Sequence, residues 1–380
     1  MPRRDNGEGT IFKRKDGRWC AKVHITLPNG EIKRVATVKK DRAAVKAQLE
    51  EWLDRNKKRL PIVEENWTVK AYMTRWLEDV MPGRIRLGTM LRYRDIAYQY
   101  IIPSIGSIPL KDLSVRHVQN AADNLTKRGV SANGVLKFRR VLSSCLTRAM
   151  REEIVFRNVA QLIELPKYTS KKITPWTLEQ AELFLRETKD HRFHIAYAIM
   201  LTYGLRKGEM LGLRWSDIDF TNNLIYIRQQ VNFLDGTIHI NDVKTEAGRR
   251  TLPLIPEIKQ ELLDTAAQKG LEIPLFDPEG LLSSHNLIMV TSKNTPIGPN
   301  NFRRSFHEHI AQAGLPRITV HTMRHTAATL LKNIGVPVKD AQLILGHADI
   351  STTLAVYQHG DEKAQKTALA AVGAALYGAL

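Results

Sequence analysis

A chain of 380 residues exceeds one ordinary hydrophobic core, so two or three domains are expected. Apolar content of 43% is that of a folded chain, and the longest apolar run, 195–205, falls far short of the ~20 residues of a membrane span. Net charge of +18 favours a polyanionic partner, nucleic acid above all, and two cysteines without a CxxC pair indicate neither a disulfide framework nor structural zinc.

Residues 1–60 hold 17 Lys/Arg against 8 Asp/Glu, half of the excess charge. The first seven residues, Met1-Pro-Arg-Arg-Asp-Asn-Gly, lack the apolar core of a signal peptide, so a cytoplasmic, nucleoid-associated protein is expected. Gly9 to Lys13 alternates like a strand, Asp16-Gly17 turns, and Trp19 to Ile25 forms a second strand. Pro28-Asn29-Gly30 is a hairpin turn, because Asn-Gly tolerates positive φ, and Ile32 to Ala36 is the third strand. Asp41 caps a helix from Arg42 to Asn56 that carries Val45, Leu49, Trp52 and Leu53. This α+β module of three strands and a helix offers Arg14, Arg18, Lys22, Lys33 and Arg34 as nucleic-acid contacts. The basic linker 57–61 ends it.

Residues 66–165 read as an all-α, four-helix domain. Thr68 caps the first helix, and a second starts near Thr89 and stops before Ile102-Pro103. Ser114 caps the third and Ser131 the fourth. Arg92, Arg94, Lys137, Arg139 and Arg140 are its exposed cations and candidate contacts. A polar linker, 166–172, leads to the third domain, 173–380, which mixes mainly helices with a small antiparallel sheet. There Thr177 and Gln180 form a capping box, and an apolar helix runs from Arg192 to Tyr203. Strands follow at 224–227, 237–240 and 250–254.

The common catalytic engines are missing from the sequence. There is no GxxxxGK[ST] loop, no GxSxG elbow, no HExxH helix and no dense carboxylate cluster. His321 and His325 have helical metal-ligand spacing, but the base Glu is absent and Arg324 lies between them, so neither metal nor cofactor is expected. What remains is cationic and phenolic. Gly204-Leu205-Arg206-Lys207-Gly208-Glu209 follows the apolar helix. His321-Thr322-Met323-Arg324 comes later, then Leu345-Gly346-His347 at a helix end with Gly346 as C-cap, then Tyr357 on a short helix that Ser351 caps.

In this order and spacing the set resembles the tyrosine recombinase (phage integrase) family. That pattern is an Arg in a GLRxxE context, a Lys on a β-hairpin turn, HxxR, a His in an LGH context, and a Tyr about ten residues on; Lys244, in Val243-Lys244-Thr245-Glu246, takes the lysine place. The resemblance covers about 170–360. The flanks are similar to an integrase arm-binding domain and a core-binding domain.

The resemblance implies a site-specific recombinase of a phage or an integrative element. Tyr357 would be the nucleophile and form a 3′-phosphotyrosine bond that conserves the phosphodiester energy, so no ATP is needed. A phenol with an ordinary pKa near 10 is a poor nucleophile at neutral pH, and nearby cations favour its phenolate. Arg206 and Arg324 can clamp the non-bridging oxygens, and His321 and His347 can donate hydrogen bonds or handle the tyrosine proton. Lys244 would be the general acid, with Lys207 as competitor. Glu209 orients or pairs with a catalytic group; His325 and His359 are packing or polar surface residues.

The implied partners are double-stranded DNA at core-type and arm-type attachment sites, a homotetramer at the synapse, an excision factor and a host DNA-bending protein. The apolar tail, 368–380, is expected to dock on a neighbouring protomer, the alternative being its own domain. Two other readings share these features: a type IB topoisomerase, which rejoins the same strand, and a DNA-binding regulator without catalysis.

Overall fold

The structure, a computed structural model, describes residues 9–26, 32–57, 67–167, 174–243, 246–357 and residue 370. The expected Pro28-Asn29-Gly30 turn, Lys244, His359 and all of the 368–380 tail but residue 370 lie outside the described residues, as do 58–61 and 168–172 of the two linkers. The chain divides into two compact units, 1–170 and 171–380.

The first unit holds two separate cores. Strands β1 (Thr10–Lys13), β2 (Trp19–Thr26) and β3 (Ile32–Lys39) pair antiparallel in that order. Asp41 caps α1 (Arg42–Lys57) as expected, its carboxylate accepting from the backbone N–H groups of Ala43 at 3.2 Å and Ala44 at 3.1 Å. Val45, Leu49 and Trp52 of this helix pack on Ala21, Val23, Ile25 and Val35. The pleat therefore turns Lys22, His24 and Arg34 to the other face, where Lys22 lies over the Phe12 ring.

Thr68 caps α2 (Val69–Arg75), which runs into a π-helical turn over Trp76–Val80. Next come α3 (Leu87–Ile96), a second π-turn over Ala97–Ile101, and α4 (Ile102–Ile105). The expected stop before Ile102-Pro103 is thus corrected: the chain stays helical to Ile105. The Ile102 N–H bonds to the Ala97 carbonyl, one residue further back than in an α-helix. The wide turn relieves the ring's clash with the preceding carbonyls, and Pro103 sits in a first turn, where its missing N–H costs little. Then come α5 (Val115–Lys127) and α6 (Ala132–Arg151), capped by Ser114 and Ser131. Tyr72, Trp76, Ile101, Phe138 and Leu142 fill the core between these helices. Glu152 ties α2 to the end of α6, accepting from Tyr72 (2.9 Å), Arg75 (2.8 Å) and Arg148 (2.6 Å).

The second unit opens with α7 (Leu178–Glu187), whose Thr177–Gln180 capping box is present. Helix α8 (His194–Tyr203) is buried on nearly every side, which is why its sequence lacks a polar face. There follow α9 (Lys207–Gly212), β4 (Ile218–Asp219), β5 (Leu224–Ile227), β6 (Gln229–Leu234), β7 (Thr237–Asp242) and β8 (Arg250–Pro253). The remaining helices are α10 (Pro256–Gln268), α11 (Pro299–Gln312), α12 (Val320–Asn333), α13 (Val338–Leu345) and α14 (Ile350–Tyr357).

The strands form two groups among the described residues, β4-β5-β8 and the hairpin β6-β7. Strands β4 and β6 are additions to the sequence reading. Gly208 and Gly212, one turn apart on α9, allow the β6 backbone to approach; a Cβ at Gly212 would fall 2.9 Å from Gln230 Cα. Within its units the chain thus has a small α+β module, an all-helical domain and a mainly helical part with small antiparallel sheets.

Candidate active site

Four of the expected residues converge where α8 ends, α12 begins and α13 ends. Gly204 closes α8 in the left-handed region at φ +63, and a Cβ there would meet Leu345 Cδ2 at 2.4 Å. Its carbonyl accepts from Arg324 Nη1 at 2.8 Å. Arg324 opens the second turn of α12, which Thr319 caps, and is 3% exposed. Its Nε donates to His347 Nε2 at 3.2 Å, and its Nη2 has no partner among the described residues. A buried guanidinium edge without an acceptor is costly unless an anion arrives.

Arg206 lies just outside α9. Its Nη1 donates to Glu209 Oε1 at 2.6 Å, its backbone N–H to Glu209 Oε2 at 3.1 Å, and its Nη2 to the Gly346 carbonyl at 2.9 Å. Glu209 is 2% exposed and also accepts from Arg250 Nη2 at 3.2 Å. Burial pulls the Glu209 carboxyl upward, but Arg250 and Arg206 outweigh it and hold it below the usual carboxylate range. Glu209 therefore pairs with and orients Arg206.

Gly346 ends α13 at φ +67, as the C-cap reading expects. His347 follows, with Nδ1 2.8 Å from Thr353 Oγ1. Burial, then Arg324 and Arg206, push the imidazole down to about 4. It is therefore neutral at pH 7, which suits an Nε2 that accepts from Arg324. Burial and then Arg206 likewise push Arg324 down to about 9. His321 stands edge-on to His325, ring centroids 5.1 Å apart, and lines the same groove as Arg206.

Tyr357 is not brought to this cluster. Its hydroxyl donates to the Val336 carbonyl at 3.0 Å, and burial pushes the phenol above its ordinary value. The expected lowering by neighbouring cations is absent from this arrangement. Asp349, not Ser351, caps α14: its carboxylate accepts from the Ser351 N–H at 2.9 Å, which places Ser351 inside the first turn. Lys244 lies outside the described residues.

Sequence reading missed the groove beside the cluster. It is about 1390 Å³ and runs between α9 and α11, lined by Arg206, Lys207, Arg303, Arg304, Arg317 and His321. Lys207 is held below its ordinary value by burial and then by Arg303. The signal was available: Arg303, Arg304 and His307 stand on a helix whose other face, Phe302, Phe306 and Ile310, is core. Such a strip of cations beside the half-buried Arg206 and the buried Arg324 can track a phosphate backbone.

The expected contacts of the first unit are mostly at the surface. Arg34, Arg94, Lys137 and Arg140 are exposed, and Lys22 is half-buried. Arg14 and Arg18 share Asp16, and Arg92 donates to the Gly88 carbonyl. Arg139 is drawn inward, donating to the Ala160 carbonyl at 3.1 Å, so it braces the domain. The Lys33 side chain lies outside what is described. No helix of the described residues is long and apolar enough to cross a membrane.

Similarity to known proteins agrees with this geometry. The phage integrase family matches residues 176–364, and the N-terminal SAM-like domain of phage integrases matches residues 68–126. The chain is 25% identical to the tyrosine recombinase XerC-like protein of Caldanaerobacter subterraneus, over 93% of this chain and 95% of that protein. It is 28% identical to the ICEBs1 integrase of Bacillus subtilis, over 66% and 68%. Its fold matches the Tn1549 transposon integrase solved with transposon right end DNA, at TM-score 0.68, 23% identity, and coverage of 80% of this chain and 99% of that one. It also matches the lambda integrase tetramer solved on a Holliday junction, at TM-score 0.59, 15% identity, and coverage of 95% and 98%.

Proposed function

Because this chain belongs to the phage integrase (tyrosine recombinase) family, we propose that it exchanges DNA strands between specific sites of a mobile element through Tyr357, with Arg206 and Arg324 holding the scissile phosphate. The observation that carries the assignment of the clamp is the buried Arg324 edge without an acceptor, 3% exposed and beside Arg206 in a neutral-histidine setting.

The Tyr357 oxygen attacks phosphorus and gives up its proton, for which His321 in the groove is the candidate acceptor. The bond from phosphorus to the 5′-oxygen breaks, and a 3′-phosphotyrosine bond forms. The 5′-oxygen takes a proton, and Lys244 is the residue at the matching place of the family pattern. Charge that builds on the non-bridging oxygens meets the two guanidinium groups. For this, Tyr357 must leave the Val336 carbonyl. A DNA-bound tetramer is the assembly in which we place that movement, and the 368–380 tail is the segment we assign to contact between protomers. An excision factor and a host DNA-bending protein complete the proposed partners, and arm-type sites are assigned to the 1–60 module.

A nicked suicide substrate that loses its 5′-hydroxyl fragment tests this reading. Wild-type protein should accumulate a covalent protein–DNA complex, and Tyr357→Phe should form none while binding DNA as before. With paired attachment-site DNAs, recombinant junctions are expected. Relaxation of supercoils without junctions would overturn strand exchange in favour of same-strand rejoining.

A further inference from the structure

We infer that Arg250 is a positioning residue for strand cleavage, a side chain that locks Glu209 and Arg206, the turn leading into β8 and the carbonyl end of α13 into one arrangement. The inference rests on the proposed cleavage reaction.

The Arg250 side chain is 7% exposed, and its three nitrogen centres reach three separate segments. Nη2 donates to Glu209 Oε2 at 3.2 Å, Nη1 to the Gly248 carbonyl at 2.9 Å, and Nε to the Ile344 carbonyl at 2.8 Å. Each acceptor leads to a site element. Glu209 holds Arg206 by side chain and backbone. Ile344 precedes Gly346, whose own carbonyl accepts from Arg206, and His347. Gly248 ends the short helical turn Glu246–Gly248 that precedes β8. Space is tight around the guanidinium: a Cβ at Gly346 would fall 2.8 Å from Arg250 Nη1 and 2.8 Å from the Ala247 carbonyl.

No other side chain can substitute. Lysine carries the charge but offers one nitrogen where three acceptors lie in three directions around a planar fork. Removing the guanidinium takes one donor from each of two part-buried carbonyls and from Glu209 Oε2, which keeps only the Arg206 backbone N–H among the hydrogen bonds described. Arg206 then loses the fixed partner of its own partner, and a displacement of about 1 Å at a reacting group costs about 100-fold in rate.

The test compares full-length wild type with Arg250→Lys and Arg250→Ala on the nicked suicide substrate at saturating DNA. A second substrate carries an uncharged methylphosphonate at the scissile position, which lessens the need for an arginine clamp. We expect both variants to bind core-site DNA within about threefold of wild type, and to cleave the phosphodiester about 100-fold (Ala) and at least about 10-fold (Lys) more slowly. The deficit should narrow on the methylphosphonate, a response that a loss of fold would not produce. Should Arg250→Ala fail to fold, Arg250→Lys with a wild-type melting temperature carries the comparison. Wild-type cleavage rates in Arg250→Lys and Arg250→Ala, or the same deficit on both substrates, would overturn the inference. Absence of a covalent complex with wild-type protein would instead overturn the cleavage reading beneath it.

Discussion

At the scale of single residues, the site is a set of cations held apart from Tyr357, the proposed nucleophile. Arg206 and Arg324 each give one donor to a backbone carbonyl, Gly346 and Gly204 respectively, and His347 stays neutral between them and Thr353. The neutral imidazole has a measurable consequence. An unfolded chain titrates this histidine near 6.5, the folded chain near 4. Between those values the unfolded state takes up a proton that the folded state does not, so stability is full above pH 6.5 and falls as pH drops toward 4. The loss for this half-buried group is at most about 1 kcal/mol per pH unit. Urea midpoints at pH 7.5 and 5.0 should therefore differ less in His347→Asn than in wild type; an equally steep loss in the variant would contradict the assignment. Arg206, His321, Arg324 and His347 were legible in the sequence because each sits in a short fixed context. Arg250 was legible only as the start of a strand, because two of its three partners lie 41 and 94 residues away.

At the scale of elements, the site is made by helix ends. Local signals named those ends well: Asp41, Thr68, Ser114, Ser131 and Thr177 all cap the helices that their positions predict. The failures have physical causes. Pro103 reads as a terminator, yet the π-turn just before it absorbs it. Strand β6 lacked strong alternation, and its place is set by contact with two glycines of α9. Gly204 joins three helices at one point, since its absent side chain lets Leu345 of α13 and Ala327 of α12 close on the end of α8. Gly204→Ala combines a positive φ with a 2.4 Å overlap and should cost about 2–4 kcal/mol. A thermal melt that matches wild type would show that the helix junction relaxes instead.

At the scale of the whole molecule, charge is distributed for a task. Half of the excess lies in residues 1–60, and the second unit carries its own basic groove along α11. If that groove tracks phosphates, its cations contribute to affinity through released counterions. Arg303→Ala combined with Arg304→Ala should reduce the slope of log affinity against log salt by about 2, with a similar loss on specific and unrelated DNA. An unchanged slope would place the DNA elsewhere. The backbone contacts of the two arginines have one further implication. Both guanidinium groups lean on main-chain oxygens, at Gly204 and Gly346, and every residue type supplies such an oxygen. The positions of the two guanidinium groups proposed as a clamp thus depend on the path of the chain as well as on the Glu209 and His347 side chains. A residue other than glycine at Gly204 or Gly346, the two points where the chain turns left-handed, therefore displaces the very oxygen on which a guanidinium group leans.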